Sequence, residues 1–348
     1  MFGLPKQVII DVEKQTSQFV KILKNSLKPK KEEVLIISDH GVGENILPCM
    51  LGYGYYIAAK KKGLEVRLLF QEPKKGFMHA DPHVVKAIED LPEKNLIILA
   101  LSNKLGRFGK HKSFRGFCKD RGHRFISATG LADVKTSYFD RFLEAMSINT
   151  KRMQKRGNAI KKKWDKAKKI RITTPAGTDI TFNVEGMVAI ANLGCYHGPG
   201  EGGNMPAGEV YMPSKGYHNV NGLVVIDGSI KTAEGAILLT EKLTITVEEG
   251  KVVKVEGEHA DKLISTFERF EARAKYPDRI RFVSELAVGI NPGAVLIGSM
   301  IMDEKVLGTG HVAIGSNAWF GGEIKTIYHG DQVFKNPTFY VDGEKMEI

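Results

Sequence analysis

Residues 33–45, EVLIISDHGVGEN, are the stretch from which the fold is read. Residues 33–38 form a short apolar run rich in β-branched side chains, as expected of a buried strand. Residues 39–43 (DHGVG) make a polar, glycine-containing turn, and the spacing then predicts a helix over 45–62, stopped by Gly63. The unit repeats: EVRLLF at 65–70 reads as a second strand, 82–91 as a helix, and NLIILAL at 95–101 as a third strand, apolar enough to be buried on both faces. Strand and helix in alternation specify a doubly wound sheet with right-handed crossovers. The turn lacks the full GxGxxG spacing and the Lys-Ser/Thr of a phosphate loop, so it reads as structural rather than nucleotide-binding, and His40 within it has no assigned role.

Upstream, Val8, Ile9, Val12, Phe19, Val20, Ile22 and Leu23 recur at helical spacing, which predicts one or two amphipathic helices over 7–28. Downstream, 125–130 reads as a further strand and 138–169 as one long helical connector, with Leu143, Met146, Ile148, Met153 and Ile160 set among many Lys and Arg. The texture then changes. KIRITTPAGTDITFNV at 169–184 is two β-rich stretches around a turn, and strands are also predicted at 222–226, 236–239, 243–248 and 251–256, with a helix at about 261–275. The fold class is therefore α/β. An N-terminal doubly wound α/β domain (1–145) leads through a basic helical linker (146–168) to a mainly β (α+β) domain (169–348) that carries the candidate chemistry.

A hydrophobic content of 42% against 26% charged residues is that of a globular chain and excludes disordered and fibrous classes. The start is punctuated by Lys6, Asp11, Glu13 and Lys14, and no later run approaches the ~18 apolar residues of a membrane span, so a soluble cytoplasmic protein is expected. Cys49, Cys118 and Cys195 lie far apart with no CxxC pair, which excludes a disulfide framework and a thiolate zinc cluster. The formal charge of +11 is concentrated at 104–124 and 151–169. Solvated surface is the plain reading of both. In the first, Phe108, Phe114, Phe117 and Phe125 interleave with Lys and Arg, so an RNA- or anion-binding protein is carried as a rival reading.

Three patches carry residues suited to chemistry. In GPGEGGNMPAGEVYMPS (198–214), Glu209 stands where a rigid loop feeds a strand, while Glu201 lies in the looser half. In RFVSELAVGINPGA (281–294), Glu285 interrupts an apolar stretch, and a buried carboxylate there requires a cation, a proton or solvent. In 302–333, MDEKVLGTGHVAIGSNAWFGGEIKTIYHGDQV, His311 is followed by His329 and Asp331 at i and i+2, one face of an extended strand. Three carboxylates and two imidazoles are a mixed N/O set that zinc, cobalt, manganese and iron(II) accept, and five such donors suit two ions sharing a hydroxide. His197, beside the glycine-rich loop, reads as structural or as a contact to substrate or metal.

NMPAGEVYM, SELAVGINPGA, DEKVLGTGHVAIG and the closing YHGD resemble, in order, signature segments of the M29 family of metallo-aminopeptidases, and TTPAGTDITFNVEG resembles the hairpin opening that family's catalytic domain. The resemblance covers about residues 169–348. It implies a C-terminal two-metal centre and a homodimer, with Glu209, Glu285, His311, His329 and Asp331 as ligands. One position departs: a tyrosine seven residues after the first histidine is replaced by Ala318, with Trp319 and Phe320 following and Tyr211 and Tyr328 as candidate substitutes.

The leading expectation is a metal-dependent aminopeptidase, with two zinc, cobalt or manganese ions activating a water against a peptide substrate and Glu285 (or Glu209) handling the proton. No nucleic acid or membrane partner is expected. The enzyme alternative is a mononuclear non-haem iron(II) ring-cleaving dioxygenase of the dihydroxypyridine type, similar to the same family, with His311, His329 and Asp331 as a facial triad.

Overall fold

The computed structural model describes residues 3–109, 111 and 113–348. It divides into two compact units, the first running to Thr150 and taking in Gly194–Ala207, the second comprising Lys151–Leu193 and Gly208–Ile348. The α/β class read from sequence is observed.

In the first unit, β1 (Val34–Ser38), β2 (Val66–Phe70), β3 (Leu96–Leu101) and β4 (Arg124–Thr129) pair in parallel. Every residue of β1 and β3 is buried because helices cover both faces. Residues of α4 (Pro82–Glu89) and α5 (Phe114–Arg121) share a core with Leu35, Ile37, Ile97 and Leu99. On the other face α3 (Leu47–Lys61) lies so close that a Cβ on Gly52 would fall 2.8 Å from Ser38 Oγ. The turn after β1 is structural: Asp39 accepts hydrogen bonds from Gly41 N (2.9 Å), Ser102 N (2.7 Å) and Ser102 Oγ (2.6 Å), tying the ends of β1 and β3. His40 stacks on Phe70 at 4.4 Å between ring centroids. Phe108, Phe117 and Phe125 are buried in the same core, so they offer no faces for base stacking.

One departure from the expected elements has a clear cause. The N-terminal helical region is α1 (Lys6–Lys14) and α2 (Thr16–Ile22) followed by a π turn, as the sequence allowed. The long connector, however, breaks where Ile148 takes an extended conformation (ψ 165°), giving α6 (Phe139–Ser147) and α7 (Thr150–Trp164). Helical periodicity survives across such a break, so the pattern alone does not reveal it. Met153, Ile160 and Trp164 of α7 are buried in the second unit.

In the second unit α7 is followed by the expected hairpin, β5 (Lys169–Thr173) and β6 (Asp179–Asn183), then β7 (Ile190–Asn192). The chain next returns to the first unit, where β8 (Gly202–Asn204) pairs in parallel with β4 and completes a sheet of order β2-β1-β3-β4-β8. Only glycine fits this edge: a Cβ on Gly202 would lie 2.2 Å from the Phe125 ring.

The remaining strands are β9 (Glu209–Pro213), β10 (Val220–Ile226), β11 (Ser229–Thr232), β12 (Gly235–Leu238), β13 (Leu243–Glu248), β14 (Lys251–Gly257), β15 (Val283–Gly289), β16 (Thr309–Gly315), β17 (His329–Lys335), β18 (Thr338–Val341) and β19 (Glu344–Met346). The helices α8 (Ala260–Glu271) and α9 (Met300–Asp303) flank β15 in sequence. Two seven-stranded sheets result, β14-β13-β10-β6-β5-β18-β19 and β12-β11-β17-β16-β15-β9-β7. In the first, β5, β6 and β13 bury alternate residues, the mark of a sheet with one wet face. In the second, β15 and β16 are buried at every position, yet they carry charged side chains. No helix among the described residues is long and apolar enough to cross a membrane.

A Cβ on Gly54 of α3 would lie 2.1 Å from the ring of Phe19 on α2. Gly54→Ala therefore overpacks this helix pair and is expected to destabilise the first unit by about 1–3 kcal/mol despite the better helix propensity of alanine. Urea unfolding followed by circular dichroism checks it; an unchanged midpoint would show that Phe19 gives way freely.

Candidate metal centre

Three neighbouring antiparallel strands build the site. β15 pairs with β16 so that Glu285 lies opposite Ala313 and Ala287 opposite His311. β16 pairs with β17 so that Ala313 lies opposite Asp331 and Gly315 opposite His329. Because side chains alternate, Glu285, His311, His329 and Asp331 all project from one face. Ala287, Ala313 and Gly315 on that face have little or no side chain, which leaves room between the larger groups.

Glu285 joins the two imidazoles. Its Oε1 lies 3.4 Å from His311 Nε2 and its Oε2 lies 3.7 Å from His329 Nε2, while His329 Nε2 is also 3.4 Å from Asp331 Oδ1. The other ring nitrogen of His329, Nδ1, donates to the carbonyl of Ser316 at 2.8 Å. A backbone acceptor on Nδ1 fixes the neutral ring in the tautomer whose Nε2 lone pair faces the carboxylates. His311 Nδ1 is buried without a partner among the described groups, so that ring is not fully satisfied by protein alone.

Burial is the largest single influence on each of the four groups, but neighbouring charges outweigh it at all of them except Glu285. It opposes charge on His311, but the hydrogen bond to Glu285 and the field of Asp331 outweigh it and push the imidazole up to about 9. For His329 burial again opposes charge, and Asp331 with Glu285 lifts it to about 9. Burial drives Glu285 up from the ordinary carboxylate range against the pull of both histidines. Asp331 resists its own burial and is held below that range by His329, with His311 and Glu304 assisting. Without a metal, the imidazoles are thus made to carry positive charge for the carboxylates around them. Glu285, His311 and Asp331 form one group whose donor atoms are close enough to hold a metal ion. His329 adjoins this group, its Nε2 3.4 Å from Asp331 Oδ1, so the two carboxylates and His311 with a second imidazole beside them offer a mixed N/O set that suits a first-row divalent ion.

A second group, Glu209, Glu304 and His311, adjoins the first through the shared histidine. Glu209 of β9 lies opposite Gly289 of β15 and is bound at 2.6 Å by Lys305 Nζ, which also contacts Glu304. Sequence reasoning did not single out Glu304 and Lys305. Charged triplets such as Asp303-Glu304-Lys305 are ordinarily solvated, whereas here Asp303 and Lys305 are almost fully buried. The available signal was its position just before an apolar strand.

The loop between β16 and β17 walls the site with aromatic rings. Trp319 and Phe320 lie 4.8 and 6.2 Å from the His329 ring between centroids, and Tyr211 stands 5.4 Å from Phe320. Buried Asn317 closes the loop on itself: its Oδ1 accepts from Ile324 N (2.8 Å) and its Nδ2 donates to Ser284 O (2.9 Å). Gly322 is required there, since a Cβ would meet Asn317 Cγ at 2.0 Å. Of the two candidate substitutes for the tyrosine missing at Ala318, Tyr328 is buried against Phe267 and Phe270 and Tyr211 packs on Phe320. His197 lies in the first unit, with Nε2 2.9 Å from the carbonyl of Asn25.

The family model described as NicX, 2,5-dihydroxypyridine 5,6-dioxygenase, matches residues 140–347. A solved 2,5-dihydroxypyridine dioxygenase from Pseudomonas putida KT2440 is similar over 96% of this chain and 95% of its own, at 17% identity and a TM-score of 0.74. Wild-type AmpT from Thermus thermophilus is similar over 96% of this chain and 97% of its own, at 14% identity and a TM-score of 0.60. At such identities the likeness is one of fold. No curated protein matches. The expectation of a metallo-aminopeptidase, a hydrolase acting on peptides, is corrected by the dioxygenase family match. The motifs that suggested it lie on a fold that both solved proteins share.

The metal-free centre has a signature. The folded pKa values of His311, His329 and Glu304, about 9, 9 and 8, lie above the ordinary 6.5, 6.5 and 4.5. Groups raised in this way contribute stability below their unfolded pKa and lose it as pH climbs through the folded value. Asp331, shifted downward, is ionised throughout that window and contributes no slope there. Chelator-stripped protein is therefore expected to melt at progressively lower temperature from pH 6.5 to 9, while affinity for added divalent metal rises as it displaces protons. A melting temperature and a metal affinity that are both flat across that range contradict this account.

Proposed function

Because the chain belongs to the 2,5-dihydroxypyridine 5,6-dioxygenase family, whose model spans residues 140–347, we propose that it is a mononuclear non-haem iron(II) dioxygenase that opens a dihydroxypyridine ring. The observation that carries this reading is that Asp331 is grouped with His311 and lies 3.4 Å from His329 on two paired strands, with Glu285 between the imidazoles. Two imidazoles and one carboxylate on one side of an ion leave its other positions open, the arrangement used by iron(II) oxygenases. Iron(II) bound there would supply the redox step that lets dioxygen, a triplet, react with a spin-paired ring. Ring opening between carbons 5 and 6 breaks one C–C bond and places both atoms of dioxygen in the product, the ring itself being the reductant.

The chain's own residues take the remaining tasks. The Ser316 carbonyl keeps His329 in the ligating tautomer. Glu285, whose burial raises its affinity for a proton, is the group assigned to exchange one with a ring hydroxyl. Trp319 and Phe320, beside His329, offer flat apolar faces to an aromatic ring, which suits a planar substrate better than a peptide. Glu209 is assigned a charge-balancing place beside Lys305 rather than a place on the iron.

Anaerobically purified protein supplied with iron(II) is expected to hold about one iron per chain and to consume oxygen with loss of the ring absorbance of 2,5-dihydroxypyridine. Asp331→Ala and His329→Ala are expected to lose both iron and turnover. Iron-loaded protein that leaves this and related dihydroxypyridines intact contradicts the proposal. Trp319→Ala is expected to raise KM by roughly two- to tenfold with iron content unchanged, as measured by initial rates; an unchanged KM removes Trp319 from the substrate wall.

A further inference from the structure

The second acidic group is the basis of a further step, which rests on the reading of His311, His329 and Asp331 as the iron-holding set. We propose that the ammonium of Lys305 is a resident cation in the second metal position, and that this makes the centre mononuclear.

The geometry is that of a filled site. Glu209, Glu304 and His311 present donor atoms close enough to hold an ion, and Lys305 Nζ lies among those same carboxylates, 2.6 Å from Glu209 Oε1 and in contact with Glu304. The lysine is 1% exposed, so its charge has no water to turn to and depends on these two partners. An ammonium and a divalent ion cannot occupy the same space between two carboxylates, since metal–oxygen distances of about 2.0–2.2 Å require the oxygens to close around the ion.

The backbone holds Lys305 in this place. Its N–H donates to Met302 O (3.0 Å) and its carbonyl accepts from Asn291 N (2.8 Å), so the residue is fastened on both sides. The turn lies directly against β15 at Gly289, where a Cβ would fall 2.2 Å from Val306 O and 2.9 Å from Lys305 C. Gly289 is the register partner of Glu209. The missing side chain at Gly289 therefore lets the Lys305 turn approach the strand opposite the carboxylate it neutralises. Asp303 seats the preceding segment, accepting from Ile297 N (2.7 Å) and Gly298 N (3.0 Å).

The chemical consequence is selective. A lysine balances Glu209 and Glu304 but offers no open coordination position, so it supplies neither a second Lewis acid nor a bridging hydroxide. A scaffold that resembles a two-metal hydrolase is thereby limited to one ion beside the aromatic wall.

The test is zinc stoichiometry in chelator-stripped protein, by calorimetric titration and elemental analysis, with zinc alone as the probe. Wild type is expected to bind one zinc per chain and Lys305→Arg also one. Lys305→Met, which leaves the two carboxylates unmatched, is expected to bind two. If Lys305→Met fails to fold without metal, Lys305→Ala made in zinc-supplemented medium is expected to carry two, and ethylammonium is expected to weaken the second ion without affecting the first. Two ions in wild type, or one ion in the folded neutral variants, overturns the proposal. Wild type that binds no zinc and no iron overturns the reading of the site as a metal centre, and the proposal with it.

Discussion

The second unit depends on one electrostatic constraint: carboxylates placed on the buried face of an antiparallel sheet. Glu209 and Glu285 are almost fully buried, and Glu304 and Asp331 are only partly open to water. Uncompensated, such groups cost several kcal/mol each, so the sheet is stable only with positive charge among them. The chain supplies that charge twice over. Lys305 serves Glu209 and Glu304, and the histidines serve Glu285 and Asp331 as imidazolium ions until a metal takes their place. Metal binding and the pH dependence of stability are thus two expressions of the same demand.

Small residues make the arrangement possible. Ala287, Ala313 and Gly315 keep the face open between the donors, Gly289 admits the Lys305 turn, and Gly322 lets Asn317 fold the Trp319 loop over His329. Each large functional group is therefore paired with a neighbouring position from which side-chain bulk has been removed. This explains the density of glycine around the site better than chain flexibility does, because at Gly289 and Gly322 the space is already taken by other atoms.

What could be read in the sequence follows from the same physics. β1 and β3 were legible because strands covered on both faces are apolar throughout, and the 169–184 hairpin because its turn residues interrupt an alternating pattern. β8 was not, since Gly202 and Gly203 carry no side chains in which a periodicity can be expressed. The break between α6 and α7 was hidden by helical spacing on both sides of Ile148. Of the five candidate site residues, Glu285, His311 and Asp331 form one group, His329 lies beside it next to Asp331, and Glu209 lies in the adjoining group. Glu304 and Lys305 escaped because a charged triplet is ordinarily solvated, and their burial depends on long-range pairing. The reaction class was misjudged for a related reason. Ordered motifs report the scaffold, and the two solved proteins similar to this chain share that fold.

The origin of the oxygen atoms in the product separates ring opening by dioxygen from hydrolysis. Iron-loaded protein turning over 2,5-dihydroxypyridine under ¹⁸O₂ is predicted to give a ring-opened product carrying two labelled atoms, apart from exchange with water. Label arriving from H₂¹⁸O instead, with no oxygen consumed, would mean hydrolytic chemistry at this centre and would contradict the account.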